Sequence, residues 1–277
     1  MWFDTRLSLV SFRRMTATKT SAFLVEERAH NFIVVCSQLF VAAAAEVCLG
    51  SQGVELPLPA RIVRCVGIFI TLFAVHSAAV HALTSYRDRE RKGDVLIYAL
   101  VLSSVLVVSL GTVISLAIIN YANMHDMWRG VNLGSLVLCM PFALPVLIAR
   151  SILGLQIALV VALFETIIMG AYSGTPGITA GLVLTTSVVA CVEFVCVRSR
   201  SAYLRAALKI SLAALPFAVV SMLLVPPAGA LDATARVLAC LVSGGLSGVI
   251  AVGLTPVVEL LSGYASDMRL IEMATLD

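Results

Sequence analysis

Charge is scarce in this chain. Of 277 residues only 19 are Lys or Arg and 16 are Asp or Glu, while hydrophobic residues make up 60%. With a mean hydropathy of +1.01, that balance excludes an ordinary soluble domain and implies an integral membrane protein. The formal net charge of +3 is too small to build a nucleic-acid surface, so no nucleic-acid partner is expected. Histidine is almost missing: His30, His76, His81 and His125 are the four, and nothing after position 125 can serve as an imidazole base or ligand. The seven cysteines (Cys36, Cys48, Cys65, Cys139, Cys191, Cys196, Cys240) form no C-x-x-C pair and fall mostly in apolar runs. They read as small, membrane-compatible side chains, and neither a metal nor another cofactor is expected. Long polar connectors are also lacking. SQGVELPLPA, NYANMHDMWRGVN, AYSGTPG and PPAGALDATA are short and rich in turn residues, so none of them can hold a folded domain.

What is present is apolar sequence in membrane-length pieces. A hydrocarbon core of about 30 Å takes about 20 mainly apolar residues per helix. Cutting the runs at charged and Pro/Gly-rich breaks predicts an all-α polytopic bundle with eight spans, near 31–50, 62–83, 95–119, 132–149, 151–170, 178–197, 209–225 and 236–261. The fourth and fifth are one continuous run, expected to fold back around Arg150 and Ser151. Residues 1–30 form a basic N-terminal segment, 31–261 the bundle and 262–277 a connector. Residues 31–45, ending in AAAAE, resemble a cleavable signal, but the preceding segment is long for one and the span is read as a retained helix.

Basic residues set the orientation. With the N-terminus inside, fifteen of the nineteen fall on the cytoplasmic side: the Arg6 to Arg28 segment, the loop holding Arg87 to Lys92, Arg150, the stretch from Arg198 to Lys209, and Arg269. Only Arg61, Arg64, Arg129 and Arg236 fall outside. Both termini are therefore expected in the cytoplasm of a bacterial cell, with the chain crossing the inner membrane.

Chemistry-bearing residues inside the apolar runs are few. Glu46, Glu165 and Glu193 qualify. On insertion scales a central charge costs about 3 kcal/mol, while ten Leu, Ile, Val or Phe residues return about 3 to 6, so one glutamate per helix is tolerable without a function. Glu46 and Glu193 lie near span ends and can reach headgroups or loops; Glu165 is deep. Glu165 and Glu193 are the candidate intramembrane polar site. His76 and His81, five positions apart, stand about 140° apart on a helix and do not suit one metal. Gly244 and Gly248 have G-x-x-x-G spacing beside a second small row, Ser243, Ser247 and Ala251, which predicts a helix-packing face. The overlapping Gly245-Leu246-Ser247-Gly248 resembles the G-x-S-G of rhomboid proteases, whose serine needs a histidine on a later helix; this chain has none. His125-Asp126 sits in a short loop without the helical domain that would make the dipeptide a metal site.

The end of the chain, GLTPVVELLSGYASDMRLIEMATLD, carries more. Pro256 favours a kink, Gly263 with Tyr264 suits a helix stop at the interface, and Ser266 or Asp267 can N-cap a new helix. Gly253, Pro256 and Glu259, followed by Ser266, Asp267, Arg269, Leu270 and Glu272, resemble the junction in bacterial seven-transmembrane HD proteins, the membrane-bound cyclic di-AMP phosphodiesterases. PFALPVLIA (Pro141 to Ala149), the Arg198 to Arg205 loop and SGGLSG agree in order, so the resemblance covers about residues 132 to 277. It implies that Pro256, Glu259, Asp267, Arg269 and Glu272 form the connector to a cytoplasmic HD domain, which in the family binds metal and cleaves the cyclic dinucleotide. No catalytic residue of that domain has a counterpart here. The chain is therefore expected to be a sensing or anchoring module without its own catalysis, its HD partner encoded separately if the gene is split or truncated. A small transporter using Glu165 and Glu193 is the competing reading; an inverted repeat or paired broken helices would mark it, and the sequence displays neither.

Overall fold

The computed structural model describes residues 29, 31–50, 56–82, 92–124, 136–173, 175–193 and 201–263. Among them the chain is all helical: α1 (Asn31–Leu49), α2 (Leu58–Ala82), α3 (Lys92–Met124), α4 (Leu144–Leu153), α5 (Leu155–Tyr172), α6 (Pro176–Glu193), α7 (Ser201–Leu224) and α8 (Ala230–Ser262). Seven are long and apolar enough to cross a bilayer; α4 is not. The protein is a multipass membrane bundle. Its outer surface is apolar, with Leu106, Leu110 and Val113 of α3 and Leu260 and Leu261 of α8 exposed, as a lipid-facing surface requires. Its core is equally apolar, with Leu147, Phe164, Ile168, Leu182 and Ile210 fully enclosed.

Contacts between helix ends fix the directions of the chain. Glu46 near the end of α1 meets Arg61 and Arg64 at the start of α2, and Tyr172 at the end of α5 reaches the same carboxylate. Arg236 at the start of α8 bonds the Val225 carbonyl just after α7. These points share one face, here the first face. On the second face Tyr203 at the start of α7 meets Thr255 toward the end of α8, and Lys209 of α7 pairs with Glu193 at the end of α6. Successive legs therefore alternate in direction, and α1 begins on the face where α8 ends.

The fourth leg differs from expectation. Instead of a span over 132–149 that turns at Arg150 and Ser151, the described part opens with tight turns over 136–143, continues as a ten-residue helix and breaks at Gly154. The prolines explain the pattern: Pro141 has no N–H to give and disfavours helix at Met140, while Pro145 stands in the first turn of α4, where a missing N–H costs nothing. Gly154 adopts φ 89°, open to glycine at little cost, and so separates α4 from α5 without a loop. At 1.5 Å per residue α4 spans about 15 Å, half of the hydrocarbon core.

Irregular backbone survives at such depth only when protein encloses it. Leu138, Met140, Phe142 and Ala143 are all buried, as are nine of the ten residues of α4. Turn hydrogen bonds from Cys139 to Leu136, Met140 to Val137 and Leu144 to Pro141 use the local donors, and the Ser243 hydroxyl of α8 donates to the Met140 carbonyl at 2.5 Å. α4 touches α3, α5, α6 and α8, which makes the broken leg the centre of the bundle.

Candidate functional site

Three polar arrangements and one helix pair carry the residues of interest. The helix pair is α7–α8. Gly244 and Gly248 are buried against α7: a methyl on Gly244 would lie 2.4 Å from the Ser211 backbone nitrogen, and one on Gly248 2.4 Å from Ala207 Cβ. Ser211 on α7 donates to the Leu241 carbonyl at 2.7 Å, a bond between the helices that close approach permits. In the second small row, Ser247 bonds the Ser243 carbonyl within α8 and Ser243 reaches across to Met140. At the first face Arg236 caps α7, donating from Nη1 to the Ser221 and Val225 carbonyls at 2.9 and 2.6 Å and from Nη2 to Asp232 at 2.8 Å. Toward the second face α8 carries Pro256 exposed and Glu259 buried, and it ends where Gly263, at φ 72°, returns its N–H to the Glu259 carbonyl. Asp267, Arg269 and Glu272 lie outside the described residues.

Glu165 is the first polar arrangement. It sits mid-way along α5, 1% exposed, with neither carboxyl oxygen hydrogen-bonded among the described residues. Ser104 of α3 is the hydroxyl that approaches it, but its hydrogen goes to the Val101 carbonyl at 2.7 Å. Glu193 is not brought to it. That side chain is partly exposed at the end of α6 and pairs with Lys209, so the two glutamates share no partner.

A second polar string crosses three helices. Gln38 of α1 donates to the Tyr98 hydroxyl of α3 at 2.6 Å, and that hydroxyl lies 2.7 Å from His76 Nδ1 of α2. Tyr98 also stacks on Phe164 of α5, ring centroids 5.9 Å apart. His76 is thus occupied while His81 is exposed, and among the described residues no three His, Cys, Asp or Glu side chains gather as a metal site would need.

The third arrangement was not foreseen as a unit. The carboxylate of Glu46 accepts from Arg61 Nε at 2.8 Å, from Arg64 Nη2 at 2.9 Å and Nε at 3.0 Å, and from the Tyr172 hydroxyl at 3.0 Å. Arg64 lies over the Tyr172 ring, 4.5 Å from its centroid. A signal existed in the sequence: Glu46 closes one span, and Arg61 and Arg64, one turn apart, open the next across a short loop.

The family described as 7TM receptor with intracellular HD hydrolase matches residues 62–266, more than half of the sequence. The chain belongs to this family. The match runs from the first turns of α2 to three residues past the Gly263 stop, and α1 precedes it. Within it lie six helices of spanning length and the broken leg. No curated protein and no solved structure matches the chain.

Proposed function

We propose that this chain is the sensing and anchoring part of a receptor whose output is a cytoplasmic HD hydrolase acting on a cyclic dinucleotide of the cyclic di-AMP type. The hydrolase is either a continuation of the polypeptide or a separately encoded partner. In this reading the bundle lies in the bacterial inner membrane with the second face cytoplasmic, in accord with the excess of Lys and Arg near the helix ends on that side. The catalytic chemistry belongs to the HD domain; this chain supplies its position and its state.

The observation that carries the proposal is α8. It is one 33-residue helix, packed glycine-to-backbone on α7, bonded near its middle to the central broken leg and stopped at Gly263, three residues before the receptor match ends. Such a rod moves at its cytoplasmic end whenever the core around Met140 rearranges, and Pro256 leaves the last turns one backbone bond short, as a hinge requires. The test joins the HD domain of a family member after Asp277 and measures cyclic di-AMP hydrolysis in vesicles. Gly244→Ala and Pro256→Ala are expected to change turnover several-fold while the free HD domain turns over as before. Identical turnover in all fused forms would refute coupling through α8.

The transporter reading draws on the broken leg and on Glu165. Against it, the broken leg has no described counterpart and Glu193 is already taken by Lys209. Solute uptake into vesicles that vanishes in Glu165→Gln would favour it.

A further inference from the structure

We propose that Arg61 and Arg64 form a binding site for a phosphate-type oxyanion at the first face, between the end of α1 and the start of α2. The arithmetic of donors leads there. The Glu46 carboxylate has two oxygens and already accepts four hydrogen bonds, three from the two guanidinium groups and one from Tyr172. Two cations therefore share one saturated anion, and the remaining guanidinium donors have no acceptor among the described residues. Arg61 is held through Nε, which leaves its two terminal NH2 groups as a fork without an acceptor among the described residues. Its side chain is 36% exposed, against 18% for Arg64 and 12% for Glu46: one arginine is presented and the other is structural support.

The surroundings keep the fork in place and accessible. Arg64 is locked by its two-point contact with Glu46 and by the Tyr172 ring. Gly50 stands where a side chain would strike both partners, since a methyl there would lie 2.7 Å from Glu46 Oε1 and 2.9 Å from Arg64 Nη2. No acidic residue occupies the first turn of α2, so the positive end of that helix adds to the two arginines. A planar guanidinium fork suits the paired oxygens of phosphate, and helix ends at a membrane surface lie at the depth of lipid phosphates. Inorganic phosphate from solution and the phosphodiester of an anionic lipid present the same chemistry to this fork.

Occupation would report to the bundle through existing contacts. The cluster ties α1, α2 and α5 together, and α5 packs on α4, the leg that α8 holds by Ser243. That consequence rests on the receptor reading above; the binding itself does not.

The test uses the full chain in nanodiscs of zwitterionic phosphatidylcholine. One arm adds inorganic phosphate at constant ionic strength; the other replaces part of the lipid with phosphatidylglycerol. Thermal unfolding is followed in both. Saturable stabilisation is expected in at least one arm, and the arm that responds names the source. Arg61→Gln should weaken the apparent affinity by about tenfold or more, the worth of one charge-assisted bond, whereas Arg205→Gln, an exposed basic residue at the other face, should leave it unchanged. Arg61→Lys keeps the charge without the fork and should also bind weakly, which guards against a folding defect in the glutamine variant. No saturable stabilisation in either arm, or equal affinity in wild type and Arg61→Gln, would overturn the proposal. The titration reads binding and not hydrolysis, so a null titration removes the site and leaves the coupling proposal standing, while an inert fusion does the reverse.

Discussion

Alanine at Gly244 is expected to force α7 and α8 apart. The new methyl would lie 2.4 Å from both the nitrogen and the hydroxyl of Ser211 and 2.7 Å from its Cα. Ordinary contacts begin near 3.4 Å, so the helices must separate by about 1 Å or the backbone must bend, since a main-chain atom cannot swing aside as a side chain can. The displaced serine also carries the bond to the Leu241 carbonyl. Gly245 is the control. It is the next residue of the same helix, and a methyl there meets nothing within 4 Å. Both substitutions gain the same helix propensity, up to about 1 kcal/mol, so their difference isolates the steric cost. Overpacking of this kind costs about 1–3 kcal/mol, and Gly244→Ala should be less stable than Gly245→Ala by that amount. Unfolding in mixed micelles titrated with SDS, followed by far-UV circular dichroism, gives the comparison. Equal stability of the two variants would refute the close-approach argument, and with it the view of α8 as a rod seated on α7.

Two further outcomes follow from buried charge. Arg236→Met should cost about 3–5 kcal/mol in the same titration, because Asp232, fully buried, loses its cation and two carbonyls at the end of α7 lose their donor; adding Asp232→Asn should restore part of the loss, and a cost below about 1 kcal/mol would count against the cap. Glu165→Met should stabilise the bundle by about 1 kcal/mol or more, because it replaces a buried carboxyl that lacks a hydrogen bond among the described residues with an apolar side chain of similar length; a loss of stability would mean that the carboxyl is paired in the membrane.

Seven of the helices were legible because a membrane span is mostly a matter of length and hydropathy, and those quantities are local. The fourth leg was not. Residues 132–164 hold one charge, Arg150, and a uniformly apolar run gives periodicity nothing to read. Pro141, Pro145 and Gly154 were visible, but whether a proline bends a helix or ends it depends on the neighbours, here α3, α5, α6 and α8. The packing role of Gly244 and Gly248 followed from spacing alone, because the small residues of a close contact must recur on one side of a helix. The partner, Ser211, did not. Glu46 shows the same limit: its place near a span end was readable, but its saturation by three side chains from α2 and α5 joins residues up to 126 positions apart.

The turns ahead of α4 bear on how the protein is made. A helix can enter lipid alone because its backbone is satisfied within itself, whereas the stretch from Leu138 to Ala143 cannot. Its Met140 carbonyl takes its interhelical donor from Ser243, more than a hundred residues downstream in α8. The middle of the bundle is therefore complete only when α8 has packed on it. The helix that ends the receptor is also the one that closes its core.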